Sequence, residues 1–420
     1  MGASFGSALR AAAIAVLPNS DIVVAGYSGQ VSTNQVARWN GSAWSDLGGA
    51  MDNNVSALVA MPNGDIVAGG SFTTVGGVAM RGIARWDGAA WSGLGSGLGT
   101  LPAGGVAGVA ALALLPGGDL IAAGSFSSIG GVPAINIARW NGTVWAPLGT
   151  GIGSVGLLGL NGGVLDLAVA PNGDVIATGG FTTAGGVIAN NIARWNGTSW
   201  SALGSGLGFI SGSRVVAMPN GDIIASGPFA IAGGVAVNWI ARWDGTTWSG
   251  LGAGLNSSQT ALLAMPDGSL LVGVGFIVGG FPPLDTVLRW DGSTWSALPN
   301  GPMTLVSRLA RRPLGGVVAA GIFLPPTGGF APGRLELLES SCSGSASAFG
   351  SGCVGSGGLN SLMPTTVPDV GTVFVATSAG MPALGFVLAV YGFGATTIPL
   401  SQLLSVGVQG CTLLATPDLT

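Results

Sequence analysis

The chain has 420 residues, 78 of them glycine, and only 7% are charged, against about 25% in ordinary globular domains. All 13 basic residues are arginine, histidine is absent and the net charge is a mild -4. These values exclude a basic nucleic-acid surface, the imidazole and amine groups that usually shuttle protons, and imidazole-bound copper or zinc.

Arg10 and the apolar run Ala11 to Leu17 have the outline of a signal peptide. The same run aligns with Val55 to Met61 further on, so it reads as the first strand of a repeat. From there the chain is periodic. Arg-Trp-(Asn/Asp)-Gly-x-x-Trp recurs six times, with its first Trp at Trp39, Trp86, Trp140, Trp195, Trp243 and Trp290, spaced 47 to 55 residues apart. Such a period marks one supersecondary unit that buries its apolar faces only against its copies.

The unit Val55 to Leu98 shows the predicted elements in order. Val55 to Met61 is a strand, Pro62-Asn63-Gly64-Asp65 a turn, and Ile66 to Phe72 a second strand. Thr73 to Arg81 reads as a loop, Ile83 to Trp86 as a third strand, Asp87-Gly88 as a turn and Trp91 to Leu94 as a fourth. The turn proline recurs at Pro18, Pro62, Pro116, Pro171, Pro219, Pro266 and Pro313, so seven units begin. The seventh lacks the Trp pair, and Gly2-Ala3-Ser4-Phe5 resembles Gly88-Ala89-Ala90-Trp91. The Phe5 segment is therefore expected to close the last blade, removing exposed edges.

The recurring residues are read first as structural. Arg38, Arg85, Arg139, Arg194, Arg242 and Arg289 precede the Trp, and Asp21, Asp65, Asp119, Asp174 and Asp222 precede the second strand. In an antiparallel pair both fall at one end, so they are expected to pair. In the sixth unit the acidic position holds Ser269. The two Trp of each unit bracket four residues and are expected to stack across a hairpin. Trp239 lies outside this pattern and is the single aromatic candidate for a surface contact.

Two connections are longer than the others. Their extra segments, 101–109 and 155–164, include Leu101, Leu157 and Leu158, are apolar and uncharged, and are candidates for contact with a partner. Beyond Glu339 the repeats stop. Residues 340–358 read as a Ser/Gly-rich linker and residues 359–420 as a small β-sandwich-like domain, expected to be incomplete. Cys342, Cys353 and Cys411 have no metal-site spacing. An oxidised pair fits them, with Cys353–Cys411 preferred over Cys342–Cys353. The most apolar tail segment, Gly380 to Leu400, is interrupted by Pro382 and Pro399, so no spanning helix is expected.

Gly69-Gly70 followed by Arg85-Trp86-Asp87-Gly88 and Trp91-Ser92 resembles a kelch repeat, and Asn63 to Trp86 is similar to the delta-60 type repeats of bacterial secreted proteins. Both resemblances imply a β-propeller, and the second an extracellular setting. Phe349-Gly350-Ser351-Gly352-Cys353 and Gly410-Cys411 resemble a C-terminal domain of planctomycete and myxobacterial secreted proteins. The expectation is an all-β chain. Residues 1–339 form a seven-bladed β-propeller with four-stranded blades, and the small β domain follows. Its expected role is non-enzymatic binding or scaffolding at the cell surface, with a protein or glycan partner and no cofactor, metal or catalytic residue. A carbohydrate-active enzyme using Asp residues at a channel mouth, and a self-assembling surface protein, are the alternatives.

Overall fold

The computed structural model describes residues 9–28, 34–101, 106–153, 163–208, 213–255, 259–274, 287–298, 306–313, 316–323 and 331–338, and short strands after residue 353. Among these residues there is no helix, and none is long and apolar enough to cross a membrane. Contacts divide the chain into one unit of residues 1–313 and 317–338 and another of residues 314–316 and 339–420.

Among the described residues the first unit holds six four-stranded antiparallel sheets and a three-stranded one that continues their series, besides smaller sheets of two or three short strands. The first sheet runs Leu9–Val16, Ile22–Ser28, Asn34–Trp39 and Trp44–Asp46 in spatial as in chain order. The second to sixth begin at Val55–Ala60, Gly108–Leu114, Val164–Val169, Arg214–Ala217 and Gln259–Ala264. The three-stranded seventh comprises Val306–Arg311, Val317–Phe323 and Ala331–Leu338. Each first strand contacts the first strand of the next sheet, and that of the seventh contacts that of the first, so the contacts form a closed cycle. Ser307 in the seventh sheet fastens this seam by donating its hydroxyl to the Ala11 carbonyl at 2.8 Å.

Local chemistry explains the sheets. Second strands such as Ile66–Gly70 and Leu270–Val274 are buried throughout and pair on both sides, which suits their apolar and small residues. Phe72, Phe126, Phe181 and Phe229 follow them and are fully buried. Phe126, for example, packs with Val67, Ile83 and Leu98 of the preceding unit. Thr73 to Arg81, read as a loop, contains a small hairpin: Thr74–Val75 pairs with Val78–Ala79 around Gly76-Gly77. The hairpin also bridges the preceding connection, Met51 to Val75, as do Leu98 to Ile129 and Leu207 to Ala232 later on.

The turn between the third and fourth strands uses one carboxamide or carboxylate in each of the first six units. Asn40, Asn141 and Asn196 accept backbone N–H bonds from residues two and three positions on, and Asp87, Asp244 and Asp291 do the same. The N–H groups of Ala90 and Ala89 hold the Asp87 carboxyl below the usual range, and those of Thr247 and Thr246, and of Thr294 and Ser293, do so for Asp244 and Asp291. A lowered folded pKa stabilises above the unfolded value of about 3.9 and loses that contribution as pH falls toward the folded value. The double variant Asp244→Asn, Asp291→Asn keeps the bonds that asparagine already makes in three other units. Its melting temperature is expected to match the wild type at neutral pH and to fall less between about pH 5 and about pH 2; circular dichroism melts would measure both.

In the second unit, three antiparallel pairs are described: Val354–Gly355 with Gly358–Leu359, Ser361–Pro364 with Ala376–Ala379, and Thr396–Pro399 with Thr412–Ala415. The expected sandwich packing, the three cysteines and the Phe5 segment lie outside the described residues.

Candidate functional site

The first strands of the fourth to seventh sheets line an open cavity of about 310 Å³. Asp166, Arg214, Ala261 and Arg308 line it, together with Leu167, Val215, Leu262 and Leu309. The first four occupy one repeat position. Each pairs across to the fourth residue of the described second strand, Asp166 with Thr178, Arg214 with Ser226, Ala261 with Gly273 and Arg308 with Ala320. In the first three sheets this position holds Ala13, Ala57 and Ala111. Four alanines and three ionisable side chains thus share one station around the cycle.

The charges do not cancel. Asp166 reaches to the next sheet and accepts the Val215 N–H at 3.0 Å. Burial pushes its carboxyl above the usual range, against the pull of Arg214, the N–H groups of Val215 and Leu167, and Arg308. Arg308 donates to the Ser307 carbonyl at 2.8 Å. Burial, and next the like charge of Arg214, bring Arg308 down to about 10, while Asp166 opposes this. Among the described residues neither arginine forms a salt bridge. Behind the site, Thr178 and Ser213 share a buried hydroxyl contact of 2.9 Å, and the Ser226 hydroxyl is buried without a partner. Among the described residues no three metal-ligating side chains converge. The lining supplies one carboxylate, whereas glycoside hydrolysis ordinarily employs two.

The residues singled out by the repeat lie elsewhere. Arg38, Arg85, Arg139, Arg194 and Arg242 pair with Asp21, Asp65, Asp119, Asp174 and Asp222. In the sixth unit Arg289 pairs with Asp267 at 2.7 Å, and Asp267 also accepts from the Ser269 hydroxyl, so the acid has moved two residues upstream. The arginines are a third to a half exposed, and each pair contributes about 0–1 kcal/mol. The Trp pairs, Trp39–Trp44 through Trp290–Trp295, face one another with ring centroids 5.1–5.6 Å apart. The second Trp does more. Trp91, Trp145, Trp200, Trp248 and Trp295 each donate the indole N–H to a backbone carbonyl of the preceding unit.

Trp239 is half-buried against Leu255 and Leu270 and has a φ of 62°, at a station held by Gly82, Asn136 and Asn191 in earlier units. Leu101 is half-buried, Val106 is exposed, and Leu157 and Leu158 lie outside the described residues. Exposed apolar side chains gather instead on the diglycine hairpins and their flanks, at Val78, Ile135, Val187, Ile188, Ile231 and Val235.

A family model described as a domain of unknown function (DUF5122) beta-propeller matches residues 116–142. That span runs from the turn at Pro116 through the paired second and third strands of the third sheet to Gly142. The fold is a β-propeller. Among solved structures, the propeller is similar to a streptogramin B lyase, at 11% identity and a TM-score of 0.46, over 80% of this chain and 97% of that one. It is also similar to the Pyrococcus horikoshii acylaminoacyl peptidase, at 11% identity and a TM-score of 0.44, over 86% and 59%. The extracellular domain of a hybrid two-component system from B. thetaiotaomicron matches at 10% identity and a TM-score of 0.36, over 77% of this chain; the matched region spans 40% of that one. No curated protein matches the chain.

Proposed function

We propose that the chain is a seven-bladed propeller of kelch-like, delta-60 type that acts as a non-enzymatic binding scaffold outside the cell, with a protein as partner. Seven sheets whose first strands contact one another in a cycle support the blade count. The observation that carries the role is the repeated exposure of apolar side chains on the hairpins of the second, fourth and fifth units: Val78 is 60% exposed, Ile188 73% and Ile231 53%. Aliphatic side chains displayed in this way favour a protein surface. A glycan would call for open aromatic faces, and the paired Trp rings instead face one another within the hairpins.

The variant Ile188→Asp, Ile231→Asp is expected to keep the wild-type melting temperature and to lose the protein captured from a cell-surface extract by immobilised wild type. Undiminished capture by the variant would remove the hairpin face from the reading. Concentration-dependent light scattering that the same variant abolishes would assign the face to a second copy of this chain, the self-assembling alternative.

A further inference from the structure

The geometry points to a ligand site in the cavity between the fourth and seventh sheets, where Arg214 and Arg308 hold a small organic monocarboxylate. This inference is independent of the hairpin face.

The first support is the broken repeat. Ala13, Ala57, Ala111 and Ala261 show what the fold requires at this station, a small apolar residue in a first strand. Asp166, Arg214 and Arg308 replace it in three sheets, and all three open onto one cavity. All three are half-buried, and partial removal of charge from water costs free energy that alanine avoids. A side chain that the scaffold does not need, placed at such a cost, calls for a ligand.

The second support is the charge count. Two guanidiniums face one carboxylate, and that carboxylate is already engaged by the Val215 N–H. The surplus of one positive charge selects a monoanion. Guanidinium forks bind carboxylates through paired N–H bonds, which alanine at the same station cannot offer.

The third support is the wall. Leu167, Val215, Leu262 and Leu309 line the rest of a space of about 310 Å³, at the small end of ligand pockets. With the strand backbone between them they make a mixed polar and apolar surface, which accepts a carboxylate carrying a short hydrocarbon body.

Titration calorimetry of the full chain at low ionic strength tests the assignment, with hexanoate and benzoate as probes. Hexanamide and benzamide serve as neutral isosteres, and sulfate and succinate as dianions. At least one monocarboxylate is expected to bind saturably at one site, with its amide and both dianions at least tenfold weaker. Arg214→Ala and Arg308→Ala install the residue that four other sheets carry there, so they are expected to fold and each to weaken binding at least tenfold. Arg194→Ala removes a surface arginine and leaves affinity unchanged. In Asp166→Ala the surplus rises to two, and succinate gains at least tenfold. Absence of saturable binding by either probe, or equal binding in the Arg214→Ala, Arg308→Ala double variant, overturns the site. Sulfate binding as tightly as the carboxylates overturns the organic assignment, and an unchanged succinate affinity in Asp166→Ala overturns the charge count.

Discussion

Trp200→Ala is expected to destabilise the propeller by about 3–5 kcal/mol, one of the two largest losses foreseen for a single side chain. The ring is buried, lies 5.5 Å from Trp195 and gives its indole N–H to the Leu148 carbonyl at 2.9 Å. Truncation removes the ring, leaves a cavity and takes one of two donors from the Leu148 carbonyl, which keeps the Gly151 N–H. Trp200→Phe separates these effects: most of the apolar area stays, the Leu148 carbonyl loses the indole but keeps the Gly151 N–H at 3.2 Å, and the loss is expected at about 0.5–1.5 kcal/mol. Guanidinium denaturation of both variants measures the difference. A loss below about 1 kcal/mol for alanine would contradict the packing account.

The second large effect belongs to Gly206. Its φ is 85°, and a Cβ there would stand 2.2 Å from the Asn190 carbonyl oxygen, which accepts the Leu207 N–H at 3.0 Å. Backbone and not a pliable side chain is in the way, so Gly206→Ala has to displace the connection that bridges Leu207 to Ala232. The cost combines about 1–2 kcal/mol for an L-residue at positive φ with the clash, together about 3 kcal/mol or more. Gly186→Ala provides the contrast. Its φ is 82° but nothing lies within 4 Å of the added carbon, so only the conformational part, about 1–2 kcal/mol, is expected. Equal losses at the two sites would show that crowding at Asn190 plays no part.

Much of the architecture was legible because the same local signals recur in register. Alternating apolar strands, Pro-Asn-Gly-Asp turns and Asn-Gly or Asp-Gly turns each specify local geometry, and the all-β series of antiparallel four-stranded sheets follows from them. The small hairpin around Gly76-Gly77 was not legible, since two-residue strands carry no alternation to read. The shift of the acid to Asp267 in the sixth unit went unseen because the comparison held the position fixed at Ser269. The charged cavity was missed for a related reason. Attention to what repeats passes over the places where the repeat fails. The signal was nonetheless present: five residues before each turn proline stand Ala13, Ala57, Ala111, Asp166, Arg214, Ala261 and Arg308. Reading that column for exceptions would have found three ionisable groups at one level of the cycle. Their convergence on a single cavity required the order in which the sheets contact one another.

The indole bonds have a direction. In all five, the donor follows its acceptor in the chain, by 43 to 52 residues. A polypeptide emerging from the ribosome therefore presents every acceptor before the tryptophan that will use it. Each newly made segment can dock on a finished neighbour, which favours growth of the array from the amino end while synthesis is still under way.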